Sequence, residues 1–238
     1  MNFVPISLLV TLEMIAFIQA YFIASDAMIV DPERGIEASV QSSNLNEELG
    51  MVKYIFSDKT GTLTQNVMEF KCFSAGPYQY GCDNPASREY PLGVTNVNFE
   101  DKSCFRHLEN AEHKNNKTLR RFLEALGLCH TVIADKKEKQ VEKSGPPTKY
   151  IVYNASSPDE LALVNGARHL GFAFRERDED GNMICDTWDG VRSYKLLNLI
   201  EFDSARKRMS VIVRTDDGRI LIICKGADSI IEKRLVPG

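Results

Sequence analysis

The sequence has no C-x-x-C pair among its six cysteines and no H-x-x-x-H spacing among its four histidines. Spacings of that kind build tetrahedral metal sites. Cys129-His130 is the only adjacent pair, and two neighbouring ligands cannot complete such a site. Cys72, Cys82, Cys104, Cys129, Cys185 and Cys224 therefore read as structural thiols of a reducing compartment. A basic excess is also missing: the net charge of −4 argues against a nucleic-acid-binding surface. No internal repeat is visible, and the N-terminus has neither the basic region nor the small-residue cleavage site of a signal peptide.

What is present is a chain of 238 residues, 43% hydrophobic and 26% charged, enough for one large domain or two smaller ones. Phe3 to Ile29 is mostly apolar, broken by Glu13, Gln19 and Asp26. Val4 to Ala24 meets the length of a membrane span, about 20 residues. Glu13 is costly in hydrocarbon and should face protein or water, or sit near the boundary. The alternative is a buried helix of a soluble domain. Pro5, Ser7 and Glu13 suit a helix that expects neighbours.

Residues 25–50 read as a connector with Asp31-Pro32, Gly35 and a polar run, ending in a short helix capped near Asn44 with Glu47 three residues on. Val52 to Phe56 is β-prone, and Asp58 follows it closely. That is a strand delivering a carboxylate to the carboxyl edge of a sheet, where open α/β folds place ligands. After Thr64 a second unit begins. Val67 to Ser74 reads as a strand, Gly76 to Asn98 as a Pro/Gly/Asn-rich stretch, and Leu119, Phe122, Leu123 and Leu126 mark a helix. Asp135 to Pro147 reads as a solvated loop and Ile151 to Tyr153 as a strand. Ser157-Pro158-Asp159-Glu160 fits a helix start, with Glu160 closing a capping box. Strands follow at Phe172 to Phe174, Leu196 to Phe202, Met209 to Arg214 and Ile220 to Lys225, the last two joined by Asp216-Asp217-Gly218. The second unit is α+β with a mainly antiparallel sheet.

A carboxylate can attack the γ-phosphorus of ATP and form an acyl phosphate, splitting one hard step into two. The residues around Asp58 suit that task. Lys59 offsets charge on the incoming phosphate or points away from it. Thr60 offers oxygens to a metal, Gly61 permits close backbone approach, and Thr62 can donate to a phosphate oxygen. Mg²⁺ would neutralise the transferring group, held by Asp58, Thr60 and carboxylates elsewhere.

Asp58-Lys59-Thr60-Gly61-Thr62-Leu63-Thr64 is identical to the signature of the P-type ATPases, and the chain resembles that family essentially from Phe3 to Leu235. The resemblance implies that Asp58 is the phosphoryl acceptor of a haloacid-dehalogenase-like Rossmann domain. Related phosphatases carry a general acid two positions after the nucleophile. Thr60 stands there instead, so the phosphoenzyme should hydrolyse slowly by itself.

Three further stretches resemble the family's nucleotide-binding domain. Ser157 to Leu163 matches the segment whose glutamate approaches the adenine amino group, which implicates Glu160. Glu201-Phe202-Asp203 and the basic run after it match the segment whose phenylalanine stacks on adenine and whose lysine meets the triphosphate, implicating Phe202 and Lys207. Lys225-Gly226-Ala227 matches the family's K-G-A, whose lysine lies deep in the pocket. In the apolar helix, Pro5-Ile6-Ser7-Leu8 looks like the P-I-S-L of the lipid-flippase subfamily, where cation pumps carry a glutamate. Pro5, Ile6 and Ser7 would then line a lipid path. Ala16 and Ala24-Ser25 depart from the flippase pattern.

The resemblance thus implies an ATP-driven flippase of aminophospholipid-like lipids with ATP and Mg²⁺ as cofactors and no nucleic-acid partner. It also implies an accessory β-type subunit and an integral location in the plasma membrane or a Golgi or endosomal membrane, with the ATP-handling parts cytosolic. The expected division is 1–29 membrane helix, 30–66 connector and start of the phosphorylation domain, and 67–238 nucleotide-binding domain. The actuator domain and the second half of the phosphorylation domain find no match here, so the chain is expected to bind ATP without completing the cycle. The alternatives are a piece of a cation-transporting relative and a non-catalytic nucleotide-binding module.

Overall fold

The computed structural model of the chain describes residues 6–32, 34–82, 90–139 and 148–236, the side chains of Asn44 and Glu47 excepted. The cap expected at those two residues, and Pro5, therefore lie outside the described residues. The chain divides into two compact units, Met1–Leu63 and Thr64–Gly238.

In the first unit, Ile6 to Ala24 holds no glycine or proline and forms one helix of 19 residues, α1. At 1.5 Å per residue it is about 28 Å long, close to the thickness of a bilayer's hydrocarbon core. It is long and apolar enough to cross a membrane, and none of its residues is buried. Asp26 accepts from the Met28 N–H at 2.8 Å and starts a single helical turn at Ala27–Ile29. A second helix, α2, spans Asn46–Gly50.

The strand expected at Val52 to Phe56 does not form. Tyr54, Ile55 and Phe56 stand 80%, 85% and 94% exposed. A β-prone run becomes a strand only when another segment takes its backbone hydrogen bonds. No described residue of the first unit does so.

The second unit holds the core. Its first hairpin pairs β1, Phe73–Ala75, with β2, Tyr78–Tyr80. This β1 is shorter than the expected Val67 to Ser74 strand; upstream of it, Phe70 makes only an isolated parallel bridge to Val97. Two helices follow, α3 at Lys102–Glu109 and α4 at Asn116–Leu128. Asp101 caps α3, accepting from the Ser103 and Cys104 amides at 2.7 and 3.1 Å. In α4, Leu119, Leu123 and Leu126 are buried on one stripe, as their spacing predicts.

The charged run expected to be a loop is a strand over its first part. Ile133–Lys139, β3, pairs antiparallel with Thr148–Asn154, β4. Pairing uses only the backbone, so Asp135 to Lys139 keep their side chains exposed while still in a ladder. Residues 140–147 of the expected loop lie outside the described residues.

Helix α5 spans Pro158–His169. Five strands then form one antiparallel sheet in chain order: β5 Ala173–Arg177, β6 Met183–Thr187, β7 Gly190–Asp203, β8 Arg208–Arg214 and β9 Ile220–Gly226. The sequence patterning showed β5, β7, β8 and β9 but not β6. Helices α4 and α5 pack on each other; α4 lies against β5 and β9 of the sheet, and α5 against its β5 and against β4 of the β3–β4 pair.

Register decides what faces the core. Met209, Val211 and Val213 of β8 are buried and stand opposite Lys225, Ile223 and Leu221 of β9. Directly paired residues share a face. Lys225 is therefore the last member of a core-facing row, turned toward the helical layer.

Candidate nucleotide site

Two loci emerged from the sequence, and each lies in its own unit. The first is the Asp58 loop. Its backbone departs from helical geometry at Thr60 (φ −81°, ψ 118°), and Gly61 adopts φ +80°, a region closed to most side chains. Asp58 Oδ1 accepts from the Lys59 N–H at 2.7 Å, folding the carboxylate over its own turn. Asp58, Lys59 and Thr60 are all exposed. Ser7 sits in the first turn of α1, where its carbonyl accepts from the Thr11 hydroxyl at 2.8 Å, and Ile6 beside it is 79% exposed.

The second locus is a cleft of about 590 Å³ in the second unit. Glu160, Phe202 and Lys225 all line it, together with Phe70, Phe73, Phe122 and Met209. Phe73 and Phe122 stack with centroids 4.9 Å apart and give the cleft an aromatic floor. Cys72, exposed, forms part of the wall.

Glu160 does not close a capping box. Ser157 holds the N-cap position of α5 without a side-chain cap bond. Glu160 instead accepts three hydrogen bonds from distant residues. Its Oε1 takes Lys225 Nζ at 2.8 Å, and its Oε2 takes the Thr131 N–H at 3.1 Å and the Thr131 hydroxyl at 2.7 Å. Burial alone would raise this carboxyl, but Lys225 and Thr131 hold it below the usual range. Its place in the first turn of α5 also favours the negative charge. The ion pair is sheltered, with side chains 12% and 23% exposed.

Phe202 lies where β7 loses register with β8, between Ile200 and Asp203. Such an irregularity re-aims a side chain and suits a site edge. The ring is 64% exposed although it borders an apolar cleft.

Lys207 is not in the cleft lining. It occupies the β7–β8 turn with φ +51°, its N–H donating to the Asp203 carbonyl at 2.6 Å. Its own carbonyl accepts from the Ala227 N–H at 3.0 Å, which ties the turn to the end of β9. Gly226 makes that approach possible: a Cβ there would lie 2.6 Å from the Lys207 carbonyl oxygen.

Sequence reasoning missed Thr131 and the aromatic floor. Nothing in the spacing of Thr131 marks it, because its partner Glu160 comes 29 residues later. Below the cleft, Cys129 is buried, and burial pushes its thiol up to about 11.

The family model for the cytoplasmic domain N of P-type ATPases matches residues 118–235, the segment that supplies Phe122, Thr131, Glu160, Phe202 and Lys225. The chain belongs to the P-type ATPases. It is 39% identical over 241 residues to phospholipid-transporting ATPase IC of Homo sapiens, with 98% of this chain and 18% of that protein covered. It is 41% identical over 239 residues to phospholipid-transporting ATPase DRS2 of Saccharomyces cerevisiae, with 98% and 17% covered. Phospholipid-transporting ATPase IC of Xenopus tropicalis is similar at 38% identity over 244 residues. The chain thus spans less than a fifth of the length of these P-type ATPases, and what is aligned is almost all of it.

Proposed function

We propose that this chain is the ATP-handling part of a phospholipid-translocating P-type ATPase, binding ATP in the cleft of the second unit and presenting Asp58 as phosphoryl acceptor. The observation that carries the reading is the meeting of Glu160, Phe202 and Lys225, from α5, β7 and β9, in one cleft. An aromatic face at the rim suits base stacking, worth about 1–3 kcal/mol. Lys225 brings positive charge, and the aromatic floor excludes water from one side. Lys207, in the adjoining turn, extends the positive potential outward toward a triphosphate.

At the other locus, the Asp58 carboxylate attacks the γ-phosphorus, the bond from that phosphorus to the β,γ-bridging oxygen breaks and ADP leaves, while Lys59 offsets charge. Mg²⁺ when bound would neutralise the transferring phosphoryl group. Asp58 and Thr60 fit it as oxygen donors, and phosphate oxygens and waters would fill the other positions of its octahedron. Among the described residues no cluster of three or more acidic, histidine or cysteine side chains could hold a metal. On this reading the chain alone binds ATP and turns it over slowly, because the Asp58 loop is wholly exposed and no described residue of its unit holds the carboxylate against a bound phosphate.

The chain divides at this reading into a membrane helix with its extension (1–29), a connector with the start of a Rossmann-type phosphorylation domain (30–66), and a nucleotide-binding domain (67–238). Lipid translocation belongs to the whole protein. Its substrate is an aminophospholipid-like lipid passing Pro5, Ile6 and Ser7, it takes an accessory β-type subunit, and it resides in the plasma membrane or a Golgi or endosomal membrane with the phosphorylation and nucleotide-binding parts in the cytosol. The names of the relatives and the absence of a carboxylate in Pro5-Ile6-Ser7-Leu8 support that reading. Calorimetric titration with ATP tests the cleft. Wild type should bind and Lys225→Ala should weaken binding at least tenfold; equal affinities would refute the assignment.

A further inference from the structure

Cys129-His130 is too small a set to complete a metal site, and its geometry shows another use. Cys129 caps the C-terminus of α4, its N–H donating to the Ala125 carbonyl at 3.0 Å. His130 is fully buried. Its Nδ1 lies 3.1 Å from the Val132 N–H, and its Nε2 lies 3.0 Å from the Gly127 carbonyl oxygen. A backbone N–H can only donate, so Nδ1 is the acceptor and Nε2 carries the proton to Gly127. Both ring nitrogens are then satisfied in a neutral imidazole. This pins the backbone on both sides of Thr131 to the last turn of α4.

Thr131 therefore meets Glu160 with two donors, N–H and hydroxyl, set in direction by α4 rather than by a mobile loop. An ionised carboxylate offers about four acceptor positions. Thr131 fills two on Oε2 and Lys225 one on Oε1. What remains is one acceptor position on Oε1, on a carboxylate that lines the cleft. An acceptor-only position welcomes a base edge bearing an amino group. It repels one bearing a carbonyl, since two acceptors face each other with no proton between them.

We infer that Thr131 is a positioning residue for base selection, holding Glu160 so that its one unused acceptor is offered to an amino-bearing purine. The inference rests on the ATP-binding reading of the cleft. Thr131 acts through Glu160 and lines no part of the cleft itself. Valine at this position keeps the volume and the backbone N–H but removes the hydroxyl, whereas serine keeps the hydroxyl.

The test uses the full chain in detergent, titrated calorimetrically with ATP and with ITP, whose base carries a carbonyl in place of the amino group. Wild type should prefer ATP. Thr131→Val should lower the ATP-to-ITP affinity ratio about tenfold, the scale of one hydrogen bond to a charged group, and Thr131→Ser should restore it. A second readout needs no nucleotide: in ¹³C-detected pH titrations the Glu160 carboxyl should titrate higher in Thr131→Val than in wild type. An unchanged ratio in Thr131→Val overturns the inference, as does an equal loss in the valine and serine variants or an unmoved Glu160 titration. Wild type binding neither nucleotide would sink the cleft reading and this inference together, whereas wild type binding with an unaffected valine variant would sink this inference alone.

Discussion

The two units of this chain invert the usual relation between sequence signal and structure. Residues 1–63 carry the unmistakable motif, Asp58 to Thr64 beginning at their end, yet no described residue among them is buried. Residues 64–238 carry weaker motifs, each explicable as a turn, a cap or a core residue, and they contain every buried residue of the described chain. A motif of chemistry-bearing residues is legible because the reaction dictates it locally. A core is built from residues far apart in the chain and has no signature of its own. The unit that announces its reaction is thus the one with the least to hold it in place.

The largest expected effect separates the units by stability. Leu123, with no exposed surface, should cost about 2–5 kcal/mol when replaced by alanine. Phe56→Ala, in the exposed segment, should change the unfolding free energy measured in urea by no more than about 0.5 kcal/mol. Comparable losses for the two would break the contrast.

Titration sharpens it. His130 is buried neutral, and desolvation first, then the charges of Arg177 and Lys225, push it down from 6.5 to about 3. The unfolded chain accepts a proton below pH 6.5 that the folded chain refuses, so its contribution to stability is complete above pH 6.5 and is lost as pH falls toward 3. Urea midpoints of the second unit should decline between pH 6.5 and 4.5, and His130→Gln should flatten that decline. A flat wild-type profile would contradict the buried neutral imidazole. The smallest expected effect is at the rim: Phe202→Ala should weaken ATP binding by about 1–3 kcal/mol with little loss of stability, because the ring is already 64% exposed.

What could be read beforehand follows the range of each interaction. The α4 stripe and the β8–β9 hairpin with its Asp216-Asp217-Gly218 turn are local, and both are where the sequence placed them. β3 escaped because its three lysines, Asp135 and Glu138 are displayed to solvent while only the backbone pairs. Val52 to Phe56 misled because a strand requires neighbours that no described residue of the unit provides. Glu160 was found through the resemblance of its segment, whereas the cap that its local spacing suggested is not made. Its partners are 29 residues before and 65 after it, and local preference cannot weigh them.

Cys72 has a consequence of another kind. A thiol on the wall of a cleft lies in the shadow of whatever fills it, so its alkylation by a maleimide should slow when the cleft is occupied. Cys82 and Cys224, exposed in the same unit but outside the cleft lining, would keep reacting and serve as internal clocks. Cys129, buried and protonated beneath, would stay silent. The fold thus carries its own occupancy gauge, readable by mass spectrometry without adding a label or altering a residue.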